Sequence, residues 1–491
     1  MGAALRRERS AEDDAAAAVA AAAAAGDVDA LAQLLAAHGA SERIAQAALA
    51  ALDEPLSVSV AASLSLSSRR ALCDGCLTVL RTHADRPSGT SMLVQALMML
   101  ARVVSTSSAG QRMPAAHIIM ADAAAFAVAI RRTIGNEDLV RCACVVLVCA
   151  TSGDDAWQEN AVTAADLLEA VVAALRHHAR GASRMMISAM ISLICELVHA
   201  PAVAARAEAA GAVTAVIDAM RAAPADETLQ QRGCHALPIL MPRLPSGADA
   251  ARLPDAVVNA AIETVLAAFT AHPQGSDAMF AMGLQAISNL WRADLMPAYG
   301  GAVARSVLEV MGTRSHHRVV LLAACGVIIW MMFGLEKRRL QRGVDARECV
   351  RAVLAAMRTH QGDAVLQKQA GMALLLLANN TAAGFHAFQE MGGSEVTDAA
   401  ILAHPEHADT LRTMDLGAQA YATRPMCDGC GATSGGIDDT KLRRCSGCMQ
   451  TVYCSPQCQV AHWRAGHKAA CRAAQAAAQQ RTPAGDEGAA S

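Results

Sequence analysis

From about Leu31 to about Leu416 the chain repeats itself, and this repeat limits the fold more than any other feature. A small residue followed by an apolar one recurs inside apolar, helix-patterned stretches: Ala48-Leu49, Ala96-Leu97, Ala143-Cys144, Ala189-Met190, Ala236-Leu237, Ala286-Ile287, Gly326-Val327 and Ala373-Leu374. The spacings are 48, 47, 46, 47, 50, 40 and 47 residues. A period of that size marks a stack of supersecondary units, each burying its apolar face on its neighbours. The small residue has a packing role, because it lets one helix approach the next closely. Two units share longer identity: Leu229-Gln-Gln-Arg-Gly-Cys-His-Ala-Leu237 aligns with Leu366-Gln-Lys-Gln-Ala-Gly-Met-Ala-Leu374.

Each unit carries a second amphipathic helix ahead of the anchor. In the fifth, Gly211 precedes Val213, Val216, Ile217 and Met220, an i, i+3, i+4, i+7 stripe, and Pro224 and Asp226 break it before Leu229. Similar stripes run through 167–175, 257–269 and 350–357, and alternating strand patterns are not evident. With 54% apolar and 18% charged residues, most of the 491-residue chain has the composition of a packed fold. The expectation is an all-α domain over 28–416. The layout resembles armadillo or HEAT repeats, an α-solenoid of about eight units, with Ala286-Ile-Ser-Asn289-Leu290 the nearest single match. A solenoid of this kind would hold a protein partner. It departs from importin-type armadillo proteins: of the positions where those carry concave-face Asn or Trp, only Asn289 fits, which disfavours a nuclear-import receptor.

The second constraint lies near the C-terminus. Cys427-x2-Cys430, Cys445-x2-Cys448, Cys454-x3-Cys458 and His467-x3-Cys471 place eight potential metal ligands in 45 residues. Each pair spans one edge of a tetrahedron, as zinc requires. Eight ligands fill two closed sites, one of four cysteines and one of three cysteines and a histidine. A closed site leaves no position for substrate, so both zincs are expected to be structural. Spacing alone leaves open which pairs share an ion. Disulfides are disfavoured, because the other nine cysteines lie in apolar helical stretches and no secretory signal is visible. Leu442, Val452, Tyr453 and Trp463 make too small a core for so short a segment, so metal must supply folding energy.

The run Tyr453-Cys454-Ser-Pro-Gln-Cys458-Gln459-Val-Ala-His462-Trp463-Arg-Ala-Gly-His467-Lys468-Ala-Ala-Cys471 resembles the MYND-type zinc finger at every defining position. The resemblance covers about a tenth of the chain. It implies a cross-braced module over 427–471 with two Zn2+: Cys427, Cys430, Cys454 and Cys458 on one, and Cys445, Cys448, His467 and Cys471 on the other. It also implies that His462 is not a ligand. The family binds short proline-containing peptides of the Pro-x-Leu-x-Pro kind. The resemblance places such a peptide beside a short strand near Met449–Tyr453, with Gln459 and Trp463 at contact positions.

The rest of the chain reads as follows. Residues 1–27 are alanine-rich and low in complexity, expected to be a frayed helix or disordered. Residues 417–426 read as a linker, and 472–491 as a disordered tail whose start extends the last helix of the finger. Val319 to Leu335 is apolar but falls on the repeat register, so a buried helix is expected there and no membrane span. The Glu336-Lys-Arg-Arg339 run reads as a solvated face. Cys73-Asp-Gly-Cys76 copies the first zinc knuckle without a partner pair, so buried or half-buried thiols are expected. His177-His178 and His316-His317 read as solvated loop edges.

None of the common nucleotide-binding, zinc-protease, serine-hydrolase or dinucleotide motifs occurs, so an enzyme is not expected. A methyltransferase-like enzyme, which some MYND proteins are, is the alternative. A nucleic-acid-binding regulator is also disfavoured. Aromatics make up 3% of residues and the net charge is −3, and zinc-bound thiolates leave the finger slightly negative. The expected function is an intracellular adaptor, cytoplasmic or nuclear, with protein partners and no nucleic acid or membrane, acting in transcriptional regulation or complex assembly.

Overall fold

The structure is a computed structural model. It describes residues 2–84, 89–105, 119, 122–151, 161–181, 183–198, 201–241, 253–291, 296–332, 344–408, 427, 442–448 and 451–479. The chain forms two compact units, Met1–Gly275 and Ser276–Ser491. All eight anchors fall in eight separate helices. In the first unit these are Glu42–Asp53, Thr90–Ser105, Glu137–Thr151, Arg184–Leu197 and Glu227–Leu240, each packed on the next. A second row, Val28–His38, Leu66–His83, Ala123–Arg132, Ala161–His178, Ala212–Ala222 and Asp255–Ala271, stacks in the same order. In the second unit the anchor helices are Asp277–Leu290, Arg318–Met332 and Ala364–Asn380. Beside them Met296–Thr313, Ala346–Thr359 and Gly393–Ala403 form the other row. The expected helical-repeat architecture is present.

The anchor residues do what their size suggests. Ala48, Ala96, Ala143, Ala236, Ala286 and Ala373 are buried, as are their apolar followers. Each buried leucine or isoleucine among those followers contributes about 1.5–3 kcal/mol. Gly326 leaves room for Gln369 of the next anchor helix, whose Nε2 lies 3.2 Å from where a Cβ would stand. Anchor helices begin on side-chain caps: Ser41, Asp226, Ser276 and Asp363 accept the N–H of Ile44, Leu229, Met279 and Leu366.

The shared Leu-Gln pair has a specific task. Gln230 Nε2 donates to the carbonyls of Met220 and Ala223 at 2.8 and 3.0 Å. Gln367 Nε2 donates to Met357 and His360 at 2.8 and 2.9 Å. Each amide adds a donor to two carbonyls at the end of the preceding helix, where the i+4 N–H groups run out. In the fifth unit Gly211, at φ +70°, makes the sharp corner between Pro201–Ala210 and Ala212–Ala222, and Gly392 repeats that conformation before Gly393–Ala403.

Polar ties link successive units. Arg81 pairs with Asp122, Arg131 with Glu169 and Arg221 with Glu263, while Arg358 donates to the Met391 carbonyl. Histidines tie back the other way: Nε2 of His83, His272, His360 and His404 donates to the carbonyls of Gly39, Pro224, Ser315 and Gln361 at 3.2, 2.8, 2.9 and 2.7 Å. His178 does the same to Ile134. This corrects the expectation for His178, which is buried, whereas His177, His316 and His317 are exposed.

At the N-terminus, where a frayed helix or disorder was expected, the structure has a helix with packed contacts. Gly2–Ala25 is one helix that packs on Val28–His38 and Glu42–Asp53. It buries Ala15, Val19 and Ala22, and Glu12 and Asp13 pair with Ser41 and Arg43. Alanine supplies helix propensity and three small buried contacts suffice for docking because two hydrogen-bonded acids fix the register. Arg318–Met332 is the expected buried helix, and among the described residues no helix is long and apolar enough to cross a membrane. Cys73 and Cys76 are fully buried in Leu66–His83. The Glu336–Arg339 run, the 417–426 linker and the end of the tail from 480 lie outside the described residues.

Candidate metal centre

The finger is built on two short strands and a broken helix. Arg443–Arg444 pairs antiparallel with Val452–Tyr453, Arg443 opposite Tyr453. This hairpin turns through Cys445–Cys448, and the Cys445 N–H donates to the Thr451 carbonyl at 2.7 Å. Ser455 then caps the helix Pro456–His462, its Oγ accepting the Cys458 N–H at 3.2 Å. The cap starts the turn that brings Cys458 back over Cys454. The helix breaks at Gly466, φ +137°, and resumes as Lys468–Gln479, so His467 and Cys471 share one inward face.

These elements gather two groups. Cys445, Cys448, His467 and Cys471 have their ligand atoms within 4.8 Å of one another, and so do Cys427, Cys454 and Cys458. Cys427 of the first sequence pair therefore meets the third pair, and the second and fourth pairs meet, a grouping that spacing alone left open. Cys430 lies outside the described residues. His462 belongs to neither group: its Nδ1 bonds the Tyr453 hydroxyl at 3.0 Å, and its ring stacks on His467 at 5.1 Å.

Zinc fits this donor set. With Zn–S near about 2.3 Å, two sulfurs on one tetrahedral ion lie about 3.8 Å apart. Cys445 Sγ and Cys471 Sγ are 3.8 Å apart, Cys454 Sγ and Cys458 Sγ 3.5 Å, and Cys448 Sγ and His467 Nε2 3.6 Å. The Cys454 N–H points at Cys427 Sγ at 3.3 Å, a donor that stabilises a thiolate. At the second group the N–H groups of Cys448 and Gly447 bring the Cys445 thiol down to about 7. Burial, then the neighbouring Cys445 and Cys448, push Cys471 up to about 11. Such a cluster holds all its negative charge only around a cation. The repeat cysteines behave oppositely: burial alone raises Cys234 and Cys325 to about 12, so they stay protonated core residues.

Gly447 is part of the second site. A Cβ there would stand 2.8 Å from both Cys471 Sγ and Gln475 Nε2. Sequence reasoning passed over this glycine, although its place inside Cys445-Ser-Gly-Cys448 was a usable signal. Beside the site lies a groove of about 370 Å³ lined by Gln459, Val460, Trp463, Arg464, Gly447 and Gln475. Val460 and Trp463 are 49% and 37% exposed, and the Trp463 ring meets His467 edge-on at 5.9 Å. The structure thus brings the two residues expected at a peptide site into one groove.

Comparison with known proteins agrees with this geometry. Residues 427–471 match the MYND finger family. Ubiquitin C-terminal hydrolase 15 of Oryza sativa subsp. japonica is 43% identical over 63 residues, which is 13% of this chain and 6% of the rice protein. Among solved structures, a chain from work on the phosphorylation switch between cadherin and beta-catenin shows 13% identity and a TM-score of 0.38. That likeness covers 80% of this chain and 91% of the other. A circular tandem repeat protein shows 15% identity and a TM-score of 0.23 over 83% of this chain and 100% of its own. The two-zinc donor set and the family match converge: residues 427–471 are a MYND finger, following a run of stacked helical repeats in the same chain.

Proposed function

We propose that the protein is an adaptor whose finger binds short proline-containing peptides while its helical repeats hold a second protein. The observation that carries this reading is the groove that Gln459 and Trp463 line together with Cys445 and Cys471 of the second metal group. A half-exposed, rigid tryptophan covers a proline ring at low entropic cost, and the nearby amides of Gln459 and Gln475 suit an extended backbone. Cys427, Cys430, Cys454 and Cys458 hold one zinc, with Cys430 as its fourth ligand. Cys445, Cys448, His467 and Cys471 hold the other. Both ions supply folding energy and no reaction. The rice hydrolase shares too short a stretch to bring an activity with it. The nine unbridged cysteines of the repeats, eight of them buried and Cys149 half-buried, suit an intracellular setting.

The test is titration of the full-length chain with a fluorescent Pro-x-Leu-x-Pro peptide. Micromolar binding is expected, about −8 kcal/mol or weaker. Trp463→Ala should weaken it at least tenfold with both zincs retained. Unchanged binding by a folded variant would move the peptide elsewhere, and loss of zinc would make Trp463 a core residue.

A further inference from the structure

The finger's groove is lined by apolar residues and one charged residue. Val460 and Trp463 supply exposed apolar surface, and Arg464 lines the same groove. Arg464 is exposed, one residue beyond Trp463, where the helix approaches its break at Gly466. Among the described residues of the finger there is no aspartate or glutamate, while Arg443, Arg444, Lys468 and Arg472 are also exposed. The finger's acids, Asp428, Asp438 and Asp439, all lie in the stretch before Lys441. Cys445 and Cys471, which belong to the second metal group, line the same groove. The exposed Arg464 has no carboxylate to pair with among the described residues of the finger.

We propose that Arg464 makes this groove select peptides carrying an acidic residue beside the apolar anchor. The inference rests on the peptide-binding reading above and adds its specificity. The occupant is a partner segment with its proline or leucine against Trp463 and Val460, and a carboxylate on Arg464. The planar guanidinium offers that carboxylate two parallel donors, which a lysine would not. The ordering energy comes from the apolar contact, and the ion pair discriminates among otherwise equal sequences.

The experiment uses the full-length, zinc-loaded chain and three peptides that share one Pro-x-Leu-x-Pro core, flanked on both sides by Glu, Gln or Lys. Binding is followed by fluorescence anisotropy at low and high salt. The Glu-flanked peptide should bind about threefold or more tighter than the Gln-flanked one at low salt, with the gap closing as salt rises. The Lys-flanked peptide should be weakest. Arg464→Gln should remove the ranking among the three peptides, while Arg443→Gln should keep it. Equal affinity for all three peptides, or a ranking that survives Arg464→Gln, overturns the proposal and leaves peptide binding intact. If no peptide binds, the peptide-binding reading falls and this one with it. A groove filled by a second copy of the chain would show as a concentration-dependent dimer that excludes peptide, and that too overturns it.

Discussion

Gln230 and Gln367 make the same pair of hydrogen bonds in two different repeats, each closing the end of the helix before it. Both side chains are about 2% exposed, so an alanine removes two buried hydrogen bonds, although the Ala223 and His360 carbonyls keep the N–H groups of Asp226 and Asp363. Gln367→Ala should cost about 1–3 kcal/mol. Hydrogen exchange checks it: faster exchange should concentrate in Ala346–Thr359 and Ala364–Asn380. Uniform acceleration across the second unit would mean the amide acts on global stability alone.

Zinc removal should separate the two parts of the chain. Two zincs per chain are expected by metal analysis. A chelator should unfold 427–471 and leave most of the helical circular dichroism, because the repeats rest on apolar packing. Cys454→Ala should lose metal, whereas Cys73→Ala, buried in Leu66–His83, should leave zinc content unchanged. Loss of most helical signal on chelation would show one cooperative body.

Gly447→Ala tests the closeness of the second knuckle to Cys471. The added methyl collides with Cys471 Sγ and the Gln475 amide. Zinc affinity should fall about tenfold to a hundredfold, since the displaced sulfur is a ligand in the proposed site. Competition with a chromophoric chelator measures it. Ser446→Ala, at an exposed neighbour, is the matched control.

Asp363 links acid stability to one joint of the second unit. Burial opposes its charge, but the Leu366 N–H and Arg318 outweigh it and hold the carboxyl below its ordinary 3.8. A depressed folded pKa means the native state binds fewer protons, so this stabilisation is present above the ordinary value and is lost as pH falls below it. Asp363→Asn should therefore flatten the acid limb of the stability profile as pH falls through about 4 and below. An unchanged acid limb in denaturant titrations would remove Asp363 from that role.

Much of this architecture was legible because its determinants are local. A small residue beside an apolar one repeats wherever two helices approach closely, so Ala48, Ala96 and their successors mark the anchor helices directly. The ligand pairs were equally plain, and the resemblance supplied the cross-brace that spacing could not. The docked N-terminal helix was hidden because its contact rests on Ala15, Val19 and Ala22, which bury little area, and on Glu12 and Asp13, whose partners sit in another helix. His178 was hidden because a histidine pair at a helix end looks solvated, and only one of the two turns inward. Its signal was long-range: His83, His178, His272, His360 and His404 recur at or just past the ends of equivalent helices.

The interleaved arrangement of the finger has a consequence for how it handles metal. The ligand group drawn from Cys427, Cys454 and Cys458 encloses Cys445 and Cys448, and the group drawn from Cys445 through Cys471 encloses Cys454 and Cys458. Residues 445–458 thus serve both ions at once. Stripping either ion frees a loop that the other needs held, so a competitor for zinc meets an all-or-none release in place of two successive ones. In a cell this gives the finger a threshold response to zinc supply. It stays intact down to a limiting availability and then gives up both ions together.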